Sequence, residues 1–201
     1  MNPACFLPLG SFQAGAEQIG GSSQDVLDSM LGAEHVFQTA DYRAAGGGTA
    51  AEFLTAGPIK TMLVRNTSGG TLIPGYAVKK SVAADGPACV TDVAAVATSI
   101  DDAPYWLVDP FVKQATIPAN AIFHIILAGY VPFIAGEAVS RGDLLVPGTG
   151  GKLVAALPFD DSTTDADDVP DERWAAIGRV VTAAGSDGAR GVCFVHGQWQ
   201  G

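Results

Sequence analysis

The chain has 201 residues, 48 % of them hydrophobic and only 16 % charged, with a net charge of −10. That is enough apolar material for one self-sufficient core, with room for an appendage. Its eleven Lys and Arg residues are scattered along an acidic chain, which speaks against the basic surfaces that nucleic acid or anionic membranes require, so neither is expected as a partner.

Cys5, Cys89 and Cys193 are far apart and odd in number, and no Cys-x-x-Cys occurs. They read as reduced thiols of a protein assembled in a cytoplasm. The opening MNPACFLPLG has no basic stretch and is broken by prolines, which does not fit a signal peptide. The longest apolar run, residues 121–128, is too short to cross a bilayer.

Residues 1–58 differ in character from the rest. They hold scattered apolar groups, Gly-rich breaks and one predicted helix over 22–32, with Ser22 as N-cap, Val26, Met30 and Leu31 on one face, and Gly32 closing it. One short helix between Gly-rich segments cannot bury a core of its own. The stretch is therefore expected to be an extended arm lying along another surface. Ordering such an arm costs about 1–2 kcal/mol per residue, so it must bury apolar side chains where it docks. The candidate partner-contact residues are Phe6, Leu7, Leu9, Phe12, Val26, Met30, Val36, Phe37 and Phe53.

From residue 59 to 201 the pattern is one of short strands with turn punctuation, a β-rich body. A strand at 61–66, a turn at Ser68-Gly69-Gly70 and a strand at 75–81 read as a hairpin. An apolar stretch at 88–97 follows, then 105–112, bracketed by Pro104 and Pro110. A buried strand is expected at 121–127 and another at 129–134, where Pro132 suggests an edge or a bend. Two hairpins close the chain, 143–146 with 152–156 and 175–182 with 191–196. Strands at this spacing predict a compact β-barrel or β-sandwich. Between the last two hairpins, 159–172 carries seven of the 21 acids, a density that favours a solvated insertion loop.

Reactive chemistry is hard to find. Asp165, Asp167 and Asp168 offer hard oxygen ligands for calcium, but the order of a calcium-binding hand is missing, so no metal is expected. His35, His124 and His196 share no chelating spacing, and no Gly-x-Ser-x-Gly elbow presents a nucleophile. Alternation puts His124 opposite Phe123 and Ile125. The glycines at 46–48 and 148–151 lack the Lys-Ser/Thr of a phosphate loop. Trp106, Trp174 and Trp199 serve either a sugar-stacking platform or the core. The chain is expected to be no enzyme and to need no cofactor.

The segment VRNTSGGTLIPGYAVKK, with Asn66, Gly69 or Gly70, Gly75 and Val78, resembles the opening of small head-decoration (cement) proteins of tailed bacteriophages. AGYVPFIAGEAVSRGDLLVPGTGGKLVAA, with Gly142, Asp143 and Leu145, is similar to their central segment, and AAIGRVVTAAGSDGARGVCFV, with Ala176 and Gly178, to their end. The resemblance covers about two thirds of the chain and leaves residues 1–58 unmatched. It implies a β-tulip-like body, a homotrimer, the major capsid protein as partner and a place on the outer surface of the capsid. It carries no catalytic residues. Related Gly-Asp-x-Leu patterns occur in other phage structural modules, which keeps a glycan-binding tail or fibre module as an alternative. A hydrolase or lyase using His124 or His196 with a nearby Asp is a further one. On this reading, deleting residues 1–50 is expected to leave a folded body that binds shells weakly.

Overall fold

The computed structural model describes residues 7, 9–13, 31–38, 57–80, 92–99, 102, 105–156 and 175–196. Among them the fold is compact and mainly β, with a 3-10 turn at Thr149–Gly151. The strands are β1 (Phe12–Gln13), β2 (Glu34–Phe37), β3 (Ile59–Asn66), β4 (Ala77–Lys80), β5 (Asp92–Val96), β6 (Tyr105–Val108), β7 (Ile122–Ile134), β8 (Leu144–Pro147), β9 (Leu153–Ala155), β10 (Gly178–Thr182) and β11 (Arg190–Val195).

The thirteen-residue β7 organises the sheet. Its first half pairs antiparallel with β3 along one edge and with β1 and β6 along the other. Its second half pairs with β11, and β10, β8 and β9 follow in order. Strand β4 lies between β6 and β5, and β5 makes a short parallel contact back to β3. The sheet as a whole is not closed, because β2 and β9 are its outer strands.

A side chain changes face at every residue of a strand, so the residues of β7 that face one core keep the same parity unless the register shifts. The shift is present. Lys60 pairs with Ala128 but Thr61 with Ile126, which leaves Leu127 as an extra residue. Before this bulge Ile126 faces the larger core cluster, while Phe123 and Ile125 face a second one. After it, Val131, Phe133 and Ala135 take over the larger cluster. Gly129 sits where β7 exchanges β3 for β11. Its φ is +123°, and an added Cβ would lie 2.8 Å from Ile59 Cγ1 and 2.9 Å from the Pro58 carbonyl oxygen.

Several expectations hold and others are corrected. Strands β8–β9 and β10–β11 are the expected hairpins. Residues 121–127 and 129–134 form one strand rather than two. Pro132 is accommodated because β11 is the only described strand beside β7 at that point, so the missing N–H breaks no ladder on the other edge. The expected hairpin of 61–66 with 75–81 is not one. Strands β3 and β4 are not paired to each other, and β5 lies between them. The connection is too long for a tight turn, and Leu72 within it pairs with Ile117 instead. Strand β6 ends at Val108, four residues short of the expected 105–112, because Pro110 and Phe111 turn the chain. Apart from Leu31 and Gly32, the helix of 22–32 lies outside the described residues, as does the acidic loop of 159–172.

Replacing Gly129 by Ala forces a Cβ into the Ile59 backbone at a left-handed φ and is expected to cost about 1–3 kcal/mol. Gly70→Ala, in open space, should stay within about 0.5 kcal/mol of the parent. Urea midpoints of both variants measure the difference.

Candidate functional site

The described parts of residues 1–58 lie along this chain's own sheet. Phe12 pairs with Phe123, and Glu34–Phe37 runs antiparallel to β3. Leu9 and Phe37, 1 % and 2 % exposed, belong to the larger core cluster. Two buried polar side chains complete the attachment. Asp109, at the turn after β6, accepts the Gly10 N–H at 2.6 Å and the Phe111 N–H at 2.9 Å. On β7, His124 Nε2 lies 2.7 Å from the Leu7 carbonyl oxygen and Nδ1 lies 3.1 Å from Thr61 Oγ1. A carbonyl only accepts, so Nε2 carries the proton and Nδ1 accepts from the Thr61 hydroxyl. Gly10 allows the approach: its φ is +78°, and a Cβ would lie 2.9 Å from the Phe111 carbonyl oxygen.

Burial decides the protonation states here. It lowers the His124 pKa to about 4, with the Leu7 bond opposing and the His35 charge adding to the fall. The rings of Phe37 and His35 meet His124 edge-on, at 5.3 and 5.6 Å, and burial lowers the His35 pKa as well. Asp109 is raised to about 7, because loss of water outweighs the two N–H bonds that favour the carboxylate. The arrangement is a clasp. Both ring nitrogens of His124 are engaged and the residue is fully buried, so it is not placed to act on a substrate.

The other sequence candidates distribute as follows. Leu9 and Phe37 are buried within this chain. Leu7 and Phe12 are partly buried, with Phe12 packed on the second cluster. Val36 is 59 % exposed. Phe6, Val26, Met30 and Phe53 lie outside the described residues, as do Trp174, Trp199, Cys5, Cys89 and the acids of 159–172. Trp106 packs against the second cluster. His196 is exposed beyond β11, and burial pushes the Cys193 thiol up to about 12. Sequence reasoning passed over Asp109 and Thr61. The available signal was a lone acid in the apolar stretch WLVDPFV, which must be either paired or protonated once buried.

The residues that carry the family resemblance fall at backbone turning points and close approaches or in the core. Asn66 is buried; its Nδ2 donates to the carbonyls of Gly70 and Pro118, both at 2.9 Å, and its Oδ1 accepts from the Ser68 N–H and hydroxyl. It thereby ties two loops together. Gly75 and Gly142 have φ of +81° and +96°, and Asp143 accepts the Ser140 N–H at 2.7 Å. Val78, Leu145 and Ala176 are core residues, while any side chain at Gly178 would collide with the Phe194 carbonyl.

No family model matches the chain. Nor does the search of curated proteins return a match. Among solved structures, the chain is similar to the head fiber gp8.5 N base in bacteriophage phi29, at 18 % identity and a TM-score of 0.39. The overlap covers 68 % of this chain and 93 % of that one. The likeness is partial, and no function passes from it.

Two tests follow from the clasp. Leu9→Ala removes a core side chain and should cost about 2–5 kcal/mol, which a free arm would not show. The two buried titrations oppose each other. Asp109, raised from 3.8 to about 7, contributes stability below pH 3.8 that is lost as pH rises to 7. His124, lowered from 6.5 to about 4, contributes stability above pH 6.5 that is lost as pH falls to 4. Asp109→Asn should therefore lose stability from pH 6.5 down to 4 more steeply than the parent. His124→Gln should instead lose it as pH rises from 4 to 7. Denaturant midpoints across this range read both slopes.

Proposed function

We propose that the chain is a structural protein of a tailed-phage virion that binds the outer surface of the capsid and cements neighbouring capsomers of the major capsid protein. One observation carries this reading. The motif residues Asn66, Gly75, Gly142, Asp143 and Gly178 all act on backbone geometry, as loop ties, left-handed turns and close approaches. A sequence resemblance made of such residues is a resemblance of shape, and shape is what a clamp on a shell requires. An acidic chain with scattered cations also suits an outer surface away from the genome.

The clasp adds a physical reason. A clamp under load must not shed its own N-terminal segment, and Leu9, Phe37, Asp109 and His124 anchor that segment to the central strand. Among the described contact candidates, Val36 is the exposed one, which supports β2 as the part of this stretch that meets the shell. The protein acts as a homotrimer, since closed symmetric assemblies are the usual form of such proteins and three-fold sites are available on an icosahedral shell.

Co-sedimentation of the full chain with undecorated, expanded capsids is the direct test. Saturable binding at a fixed ratio to the shell protein, with a raised shell melting temperature, is expected. Val36→Asp should weaken that binding without lowering the protein's own melting temperature. Absence of binding by the parent chain overturns the reading.

A further inference from the structure

Positive charge is scarce and scattered in this chain, yet three of its eleven Lys and Arg residues line one cavity. The cavity, of about 370 Å³, is bordered by Lys113, Lys152 and Arg190, with Tyr76, Ile73 and Ile134 as its apolar and aromatic wall. Asp187 pairs with Lys152 at 2.6 Å. Among the described residues, the side chains of Lys113 and Arg190 have no hydrogen-bond or ion-pair partner. The cavity thus keeps two free cations on a molecule whose net charge is −10.

The cavity is one end of a longer surface. Arg190, Val192 and Phe194 on β11 stand opposite Ile134, Pro132 and Tyr130 on β7. The alternate residues, Val131, Phe133, Cys193 and Val195, point into the core, so this set lies on the opposite face, where Arg190, Tyr130 and Phe194 are exposed, Ile134 and Val192 half-buried and Pro132 buried. Its far end carries Tyr130 and Phe194, each 37 % exposed with ring centroids 4.7 Å apart. Arg179, exposed and opposite Phe194 on β10, borders that pair. Four residue steps along the strand separate the aromatic pair from the cavity wall, about 13 Å at the usual rise. That is the reach of about four residues of extended chain.

We propose that this outer face of β7 and β11 is a docking strip for an extended, acidic segment of a partner polypeptide. Carboxylates of the segment meet Lys113 and Arg190 at the cavity, and an apolar side chain covers Tyr130 and Phe194. Charge complementarity selects the occupant. Two unpaired cations repel a basic segment and gain little from a neutral one, and the exposed aromatic pair favours a peptide with apolar side chains. The strip is defined by its own charge and shape, so it stands whether or not the chain serves a viral shell.

The test is a titration of the full chain with a fluorescein-labelled peptide of alternating glutamate and leucine, read by anisotropy. A glutamine–leucine peptide and polygalacturonate are run alongside. Saturable binding of the glutamate peptide, weakened at least tenfold by added salt and by Lys113→Gln with Arg190→Gln, is expected, with neither control binding. Lys113→Gln alone, in a loop, guards against a folding defect of the strand variant and should weaken binding several-fold. Three results overturn the proposal: no binding of the glutamate peptide, equal binding of the glutamine peptide, or affinity unchanged in the Lys113 and Arg190 variants. Binding of polygalacturonate without the peptide also overturns it, in favour of a carboxylated glycan.

Discussion

Strand β7 is the element on which the remaining structure depends. It pairs with β1, β3, β6 and β11, and both core clusters draw on its side chains. A strand so shared must satisfy two conditions at once. Its hydrogen bonds must pass from β3 to β11, and its side chains must keep facing the larger cluster through that exchange. The bulge at Leu127 bears on the second by handing the cluster-facing positions from Ile126 to Val131, Phe133 and Ala135. Gly129 meets the first by letting Pro58 and Ile59 approach the backbone.

The N-terminal segment is attached by a different kind of interaction. Leu9 and Phe37 supply apolar burial, but Asp109 and His124 supply direction, each gripping a backbone group of residues 7–10. Burying two titratable groups is costly unless each is neutral or well bonded. Here both shift toward their neutral forms, the acid upward and the imidazole downward. Their linkage terms then carry opposite signs, so a clasp made of the two is less sensitive to pH than either group alone.

The same segment shows how a sequence-level idea changes once contacts are known. Apolar residues that the sequence offers to a partner, such as Leu9 and Phe37, close the chain's own core. Exposed large apolar side chains lie elsewhere, at Val36 on β2 and at Tyr130 and Phe194 on β7 and β11. Deleting the whole stretch therefore tests folding as much as docking.

The sequence by itself determined the β class, the two C-terminal hairpins and the opposed faces of His124 and Phe123. These follow from local rules: period-two alternation, β-branched runs and short Gly-rich turns whose partners are neighbours in the chain. It also exposed Asn66, Gly75, Gly142 and Gly178, since residues of these types mark backbone constraints. Only the tertiary structure decided which distant strands pair. The loop of 67–76 does not return β4 to β3, because β5 occupies that edge. Whether Leu9 belongs to a free arm or to the core also depends on contacts about a hundred residues away along the chain, such as Gly10 with Asp109. Alternation reports that a side chain has a face; it cannot report what covers that face. For this protein the covering partner is the chain's own N-terminal segment, held by two polar groups whose burial no local pattern could reveal.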